Sequence, residues 1–474
     1  MMRGKLTLLL ATAGLAACSM APKYVRPEAP IPPGWPVGDA YLRSSEAALP
    51  AVTYQDIFRD PRLQQVIGQA LINDRDLRVA AANIAAARGQ YRIQRAELLP
   101  EVDAGAGATY RGGSGNNQGA RSYSANVGIT AFELDLFGRI RSQTDAALNS
   151  YFATEAAARA TRLTLVGDIA DAWLTYAADK SLLRIAEDTM ASAGKSVELT
   201  RKRLNGGIAP RTDLRQAELT YDNARADVAE QKTALAQDVN ALQLLVGAPV
   251  DPALLPNSIE EAGGTLGELP AGLDSSILLR RPDVVQAEYQ LRSANAEIGV
   301  ARAELFPKIT LTGLAGFASQ ALGSLFTGGA FTWQGGGNAA YSIFRAGAGK
   351  ANVEVSKAQR DAALATYEKS IQTAFREVSD ALARRGTITD QLQATIAQRD
   401  AAADNYALSD KRYRGGIDSY LQSLTAQQAL YVAQRTLVTT QLTRATNLVT
   451  LYRTLGGDSL VEATRAGPQP AAAP

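Results

Sequence analysis

Few side chains in this sequence can do chemistry, and the missing types are as informative as those present. The 474 residues contain no histidine and one cysteine, Cys18. Without imidazole there is no Ser-His-Asp or Cys-His nucleophile system and no histidine-ligated metal. A lone thiol forms neither an intrachain disulfide nor a thiolate zinc cage. Ala348-Gly349-Lys350-Ala351 looks briefly like a phosphate loop, but Phe344 stands where its leading glycine belongs and no Ser or Thr follows the lysine. The paired acids Glu260 and Glu261 lie in a Pro- and Gly-rich stretch without the surroundings of a glycosidase pocket. Basic residues number 49 against 47 acidic, so no global charge attracts nucleic acid. The sequence predicts no enzyme, no cofactor and no metal site.

The one reactive group sits where a leader would end. Arg3 and Lys5 precede an apolar run from Leu6 to Ala17. A helix needs about 20 apolar residues to cross a bilayer, so residues 1–17 read as an export signal rather than an anchor. Leu15-Ala16-Ala17-Cys18 resembles a bacterial lipobox, in which the cysteine becomes the first mature residue and is acylated. Ser19 follows; lipoproteins kept at the inner membrane usually carry Asp there, so the resemblance points to the outer membrane. No later stretch is apolar for long enough to span as a helix, so any further crossing must be made by β-strands.

The elements behind these residues come in two copies. After a Pro-rich extended arm at 18–60, Glu97-Leu98-Leu99-Pro100 recurs as Glu304-Leu305-Phe306-Pro307, and Phe137-Gly138 aligns with Phe344-Arg345. Gly206-Gly207-Ile208 recurs as Gly415-Gly416-Ile417, and Val246-Gly247 as Leu455-Gly456. Ordered landmarks at near-constant spacing imply duplication. The repeats are expected at 61–247 and 281–456, joined by a linker or equatorial segment at 248–280 and followed by a disordered tail at 457–474. Each repeat reads as helix, β-hairpin (101–136 and 308–344), very long helix (138–205 and 345–414), tight turn, and return helix (211–247 and 418–456). Neither long stretch contains proline, and at 1.5 Å per residue each would reach about 100 Å. The pre-strand and return helices of a repeat together nearly match its long helix, which implies an end-to-end stack lying antiparallel to it. Leu214, Tyr221, Val228, Leu235 and Leu242 keep a seven-residue repeat, as coiled-coil packing requires.

Four strands per chain cannot close a barrel, and open edges cannot sit in lipid. Two, three or four chains sharing one barrel would supply eight, twelve or sixteen strands, and only the larger barrels leave a lumen.

Several segments match one family. FELDLFGRIR at 132–141, RRPDVVQAEYQLRSANAEIGVARAELFPKI at 280–309, YEKSIQTAFREVSDALA at 367–383 and RYRGGIDSYLQSLTAQQALYVAQ at 412–434 resemble the TolC-like outer-membrane factors, in their lipoprotein branch (OprM and NodT type) serving resistance-nodulation-division efflux systems. The resemblance implies a mainly α fold with membrane β: a homotrimeric 12-stranded β-barrel, continuous with a long periplasmic α-helical barrel of coiled-coil hairpins. It implies a passive exit duct for small toxic molecules, held in outer-membrane lipid, with a periplasmic adaptor (membrane fusion) protein and an inner-membrane pump as partners. The tip turns Gly206, Gly207, Gly415 and Gly416 would form the closed end, with Asp213, Tyr413, Asp418, Arg412 and Arg414 as gate residues. The match departs at Thr425, where many relatives carry Asp. The same architecture serves type I protein secretion, and a trimeric coiled-coil scaffold without a lumen is the alternative of a different class.

Overall fold

The computed structural model describes residues 19–32, 34–36, 53–111, 120–267, 275–464 and 466–469. The leader, Cys18 and residues 37–52 lie outside the described residues. The fold is mainly α with one four-stranded antiparallel sheet. A short helix α1 (Tyr54–Ile57) precedes α2 (Pro61–Asn73), α3 (Arg75–Ala96), β1 (Asp103–Arg111) and β2 (Ala120–Glu133). The first repeat continues with α4 (Arg139–Asn205) and α5 (Arg211–Val246). After α6 (Ile259–Gly264), the second repeat is α7 (Pro282–Ala303), β3 (Lys308–Ser319), β4 (Phe331–Ala340), α8 (Ala348–Arg414) and α9 (Tyr420–Thr454). Both long helices have 67 residues, so each extends about 100 Å.

Local chemistry sets the breaks. Asp60 caps α2 by accepting from the Arg62 N–H at 2.8 Å, ahead of Pro61 at the first helical position. Asp74 accepts from Leu77 N–H at 2.8 Å and divides α2 from α3. Asp135 caps α4 from outside, accepting from Ile140 N–H (3.1 Å), Arg141 N–H (2.9 Å) and Arg141 Nε (3.0 Å). The left-handed residues opening α4 and α8 are Gly138 (φ 75°) and Gly347 (φ 85°). They set the repeats in register two residues beyond the Phe344-Arg345 pairing read from sequence, because the junction from β4 to α8 is longer than its counterpart.

The sheet runs β1-β2-β3-β4, so the repeats join through β2 and β3 while β1 and β4 are unpaired edges. A bulge between Ile129 and Phe132 puts Ala131 at φ 57°. Glu133 accepts from Arg139 Nε and Nη2 (2.7 and 2.9 Å) and pairs with Lys308 Nζ at 3.3 Å, fastening the sheet to the first long helix.

The main core lies at the waist of the molecule. Trp173 is fully buried and its indole N–H donates to Leu254 O at 3.0 Å; Phe58 meets Tyr452 edge-on at 5.3 Å. The described residues of the 248–280 segment pack on this core, burying Leu254, Ile259, Ala262 and Leu278. The arm runs back along α7. Arg302 Nη1 donates to Met20 O (3.1 Å), Asn295 Nδ2 to Pro22 O (2.7 Å), and Trp35 stacks on Phe375 at 5.2 Å. Between these contacts the fully buried Glu288 carboxylate receives Arg26 Nη2 (2.7 Å), Arg292 Nη2 (2.9 Å) and the Tyr24 hydroxyl (3.2 Å).

The expected disordered tail is corrected over 457–464 and 466–469. Gly456 and Gly457, both at positive φ, turn the chain back over α7. Asp458 pairs with Arg162 at 2.9 Å and accepts from the Tyr452 hydroxyl at 2.9 Å. Val461 is buried, and a small hairpin of β5 (Ala463–Thr464) and β6 (Gly467–Pro468) offers Ala466 O to Arg292 Nη2 at 2.9 Å. The Ala- and Pro-rich end concealed these anchors, because a composition argument weighs the whole segment. Truncation before Gly457 leaves the buried Tyr452 hydroxyl and Arg292 without these partners. We expect it to destabilise the protein by about 1–3 kcal/mol, read as a lower thermal midpoint and faster proteolysis at the waist; an unchanged midpoint would fit a disordered tail instead.

Candidate functional site

The candidate site is the pair of helix tips farthest from the sheet. Each hairpin turns through two glycines, the first in right-handed geometry and the second at positive φ: 72° at Gly207 and 77° at Gly416. Such φ values are open to glycine at little cost and strain other residues. Ile208 N–H returns to Arg203 O, and Ile417 N–H to Arg412 O, both at 2.9 Å, which satisfies helix-end carbonyls. The turns are thus duplicates in backbone and differ in side chains.

On the second tip, Arg412 grips Asp418 with two bonds, Nε to Oδ2 at 2.6 Å and Nη2 to Oδ1 at 3.0 Å. Hydrogen bonds from Arg412 hold the Asp418 carboxyl below the usual carboxylate range. Arg414 pairs instead with Asp410 at 2.8 Å. Tyr413 is buried, and its hydroxyl meets Thr200 Oγ1 at 3.2 Å rather than an aspartate. A buried phenol needs a polar partner, and the facing helix α4 supplies one. Arg203 covers the Tyr413 ring at 4.5 Å and donates through Nη2 to Tyr413 O (2.9 Å) and Arg414 O (3.2 Å), tying the tips together. Tyr420 packs on Tyr413 at 5.3 Å. Burial, chiefly, and the charges of its surroundings, Asp213 included, push the Tyr420 phenol above its ordinary range. Asp213 lies in the first turn of α5, where the helix dipole favours an acid.

The structure therefore joins Arg412 to Asp418, sets Asp213 in the surroundings of Tyr420, and seats Tyr413 in the packing between tips. Thr200, Arg203 and Tyr420 were missed in sequence. Tyr413 and Tyr420 flank the Gly415-Gly416 turn, one at the end of α8 and one at the start of α9, and that placement across the reversal is the signal that could have found the last.

A second ionisable cluster lies higher on the first hairpin. Asp238 on α5 is pushed up to about 7, by burial first and then by the neighbouring Asp179 carboxyl of α4. Burial likewise pushes Asp171 up to about 6. Among the described residues no group of acids or other donors has the arrangement of a metal site. A carboxyl whose pKa is raised on folding binds its proton more tightly in the folded state. Its stabilising effect is complete below about pH 4 and is lost as pH rises through about 7. Asp238→Asn should flatten the fall in thermal midpoint between pH 5 and pH 8; an unaltered slope would remove this pair as its source.

With that geometry in place, the comparisons identify the family. The family model described as outer membrane efflux protein matches residues 66–248 and 273–457. The antibiotic efflux pump outer membrane protein ArpC of Pseudomonas putida is 44% identical over 465 residues, covering 96% of each chain. The toluene efflux pump outer membrane protein TtgC of Pseudomonas putida matches to the same extent, at 44% over 465 residues. Among solved structures, the open state of the Neisseria gonorrhoeae MtrE outer membrane channel superposes with a TM-score of 0.83 at 34% identity, over 93% of this chain and 98% of that one. Two matched repeats, a shared fold and near-complete coverage agree: the chain belongs to the outer membrane efflux protein family, whose members are channels and not enzymes.

Proposed function

We propose that this protein is the outer-membrane exit duct of a tripartite efflux pump, assembled as a homotrimer. The observation that carries the reading is the four-stranded sheet with two unpaired edges, continuous with helices about 100 Å long. Three copies close a barrel of twelve strands, wide enough to leave a lumen. The strands have 9, 14, 12 and 10 residues, enough to cross a hydrocarbon core. The helices continue the duct into the periplasm, where an adaptor and an inner-membrane pump supply the driving force. Ile208 and Ile417 stand exposed at the tips and offer apolar contacts to such an adaptor. The cargo is a small organic toxicant of the class for which its relatives are named.

The anchor is an acylated Cys18. Met20 is held at the end of α7 from which the chain enters β3, so the arm begins beside the membrane face of the sheet. Glu288 and its cationic partners fix that height. Cys18→Ser should abolish acyl labelling of the mature chain; labelling that persists would exclude this anchor.

Closure lies at the tips. In a trimer Asp213 occurs three times around the axis, and such a carboxylate ring favours cations. The Arg412–Asp418 clamp and the buried Tyr413 hold the second turn in its narrow form. Purified trimers in planar bilayers should conduct weakly, and Asp213→Ala should raise the conductance several-fold. A trimer without conductance in both forms would exclude the duct; conduction unaltered by the substitution would remove Asp213 from the gate alone.

A further inference from the structure

The sheet has an apolar face and a polar face, and one cation interrupts the apolar one. Residues opposite each other in an antiparallel pair share a face, and neighbours along a strand alternate between faces. The pairing therefore puts Ala125 and Val127 of β2 on one face with Phe317 of β3 and with Phe331 and Trp333 of β4. Ser122, Ser124, Asn126 and Gln334 lie on the other. In a membrane barrel the apolar face meets lipid and the polar face lines the lumen. Arg121 belongs to the apolar face: it stands opposite Tyr110, and the next residue on that face is Tyr123, opposite Ala108.

The height of Arg121 on this face is distinctive. Strands β1 and β3 enter the sheet from α3 and α7, so Tyr123, Phe317, Phe331 and Trp333 gather at the end away from the helices. Aromatic rings concentrate at the headgroup level of a membrane. Arg121 stands two residues, about 7 Å, farther out than Tyr123. Its guanidinium lies over the Tyr110 ring at 5.7 Å and meets no acid among the described residues. Beside it is an open pocket of about 290 Å³ lined by Ala108, Thr109, Tyr110, Arg121 and Tyr123. Toward the helices, β1 offers this face only Ala108, Ala106 and Ala104, all exposed, so the aromatic wall stops short of the strand.

We propose that Arg121, with the hydroxyls of Tyr110 and Tyr123, holds a phosphate of the glycolipid that forms the outer leaflet of an outer membrane. This inference rests on the outer-membrane duct reading above, which makes this end of the sheet the extracellular one, and it adds a lipid site to that duct. A guanidinium presents a planar fork of donors to phosphate oxygens, and phenols add further donors. An acyl chain below the headgroup covers the alanine track. Pairing of β1 with a neighbouring copy occupies the strand's edge and leaves its outward face to lipid. The glycolipid is favoured over a phospholipid because phospholipids of such a membrane lie in the inner leaflet, at the helix end of the sheet. It is favoured over a dissolved anion because the pocket opens on the lipid face.

The test titrates delipidated full-length trimers in neutral detergent with bisphosphorylated lipid A and reads the thermal midpoint of trimer dissociation. The midpoint should rise saturably. Arg121→Gln should raise the half-saturating lipid concentration about ten-fold, and Arg121→Lys should raise it less. Lipid A stripped of both phosphates should bind the unaltered protein as weakly as lipid A binds Arg121→Gln. Arg111→Gln, at the same rim on the lumen face, should titrate like the unaltered protein. Equal titration of Arg121→Gln and unaltered trimers, or equal binding of the dephosphorylated lipid, would overturn the site. An equal rise with phosphatidylglycerol or with inorganic phosphate would overturn its assignment to the glycolipid. Conductance separates the two readings: trimers that conduct but ignore lipid A overturn the lipid site alone, whereas protein that forms no conducting trimer overturns the duct and the site with it.

Discussion

The edges of the β-sheet carry backbone N–H and C=O groups that hydrocarbon cannot satisfy, and each such group left unpaired in lipid costs several kcal/mol. Here those edges are β1 and β4. A chain that folds only to this sheet is unfinished as a membrane element, however well its helices pack. Neighbouring copies supply the missing hydrogen bonds, and a closed ring of strands follows. The lumen comes from that closure, because the chain itself encloses no channel.

The helices obey the same incompleteness in another form. Each long helix is covered along part of its length by two shorter ones, so every repeat is a hairpin stack that buries one face. The waist is where that stack receives its largest apolar payload, around Trp173, Phe58 and Tyr452. It is also where the ends of the chain are tied down. Glu288 has no exposure, and a buried carboxylate is tolerated only when cations and hydroxyls surround it. Arg26 comes from the arm, Arg292 from α7, and Ala466 of the tail holds Arg292 in place. Arm, helix and tail thus share one electrostatic knot, which gives the segment behind Cys18 a fixed course along α7.

The tips show how one backbone design serves two surroundings. Both turns use a glycine at positive φ and the same returning hydrogen bond. The second adds the Arg412–Asp418 clamp, while the first sends Arg203 across to the carbonyls of its neighbour. The consequence is an asymmetric end, in which one hairpin is braced by its own ion pair and the other braces its partner.

Much of this was legible in sequence because it is carried by local rules. Proline-free stretches set the long helices, glycine pairs set the reversals, alternating apolar residues set strands such as β2 and β3, and the repeated landmarks set the duplication. The absence of histidine excluded whole classes of chemistry before any fold was known. The partners of Tyr413, the clasp on Glu288 and the docking of the tail were decided only in three dimensions. Each joins residues more than a hundred positions apart, or gives a polar side chain a partner that burial demands and sequence spacing does not name. Periodicity tells which face of a helix is apolar; what covers that face depends on where the rest of the chain is placed.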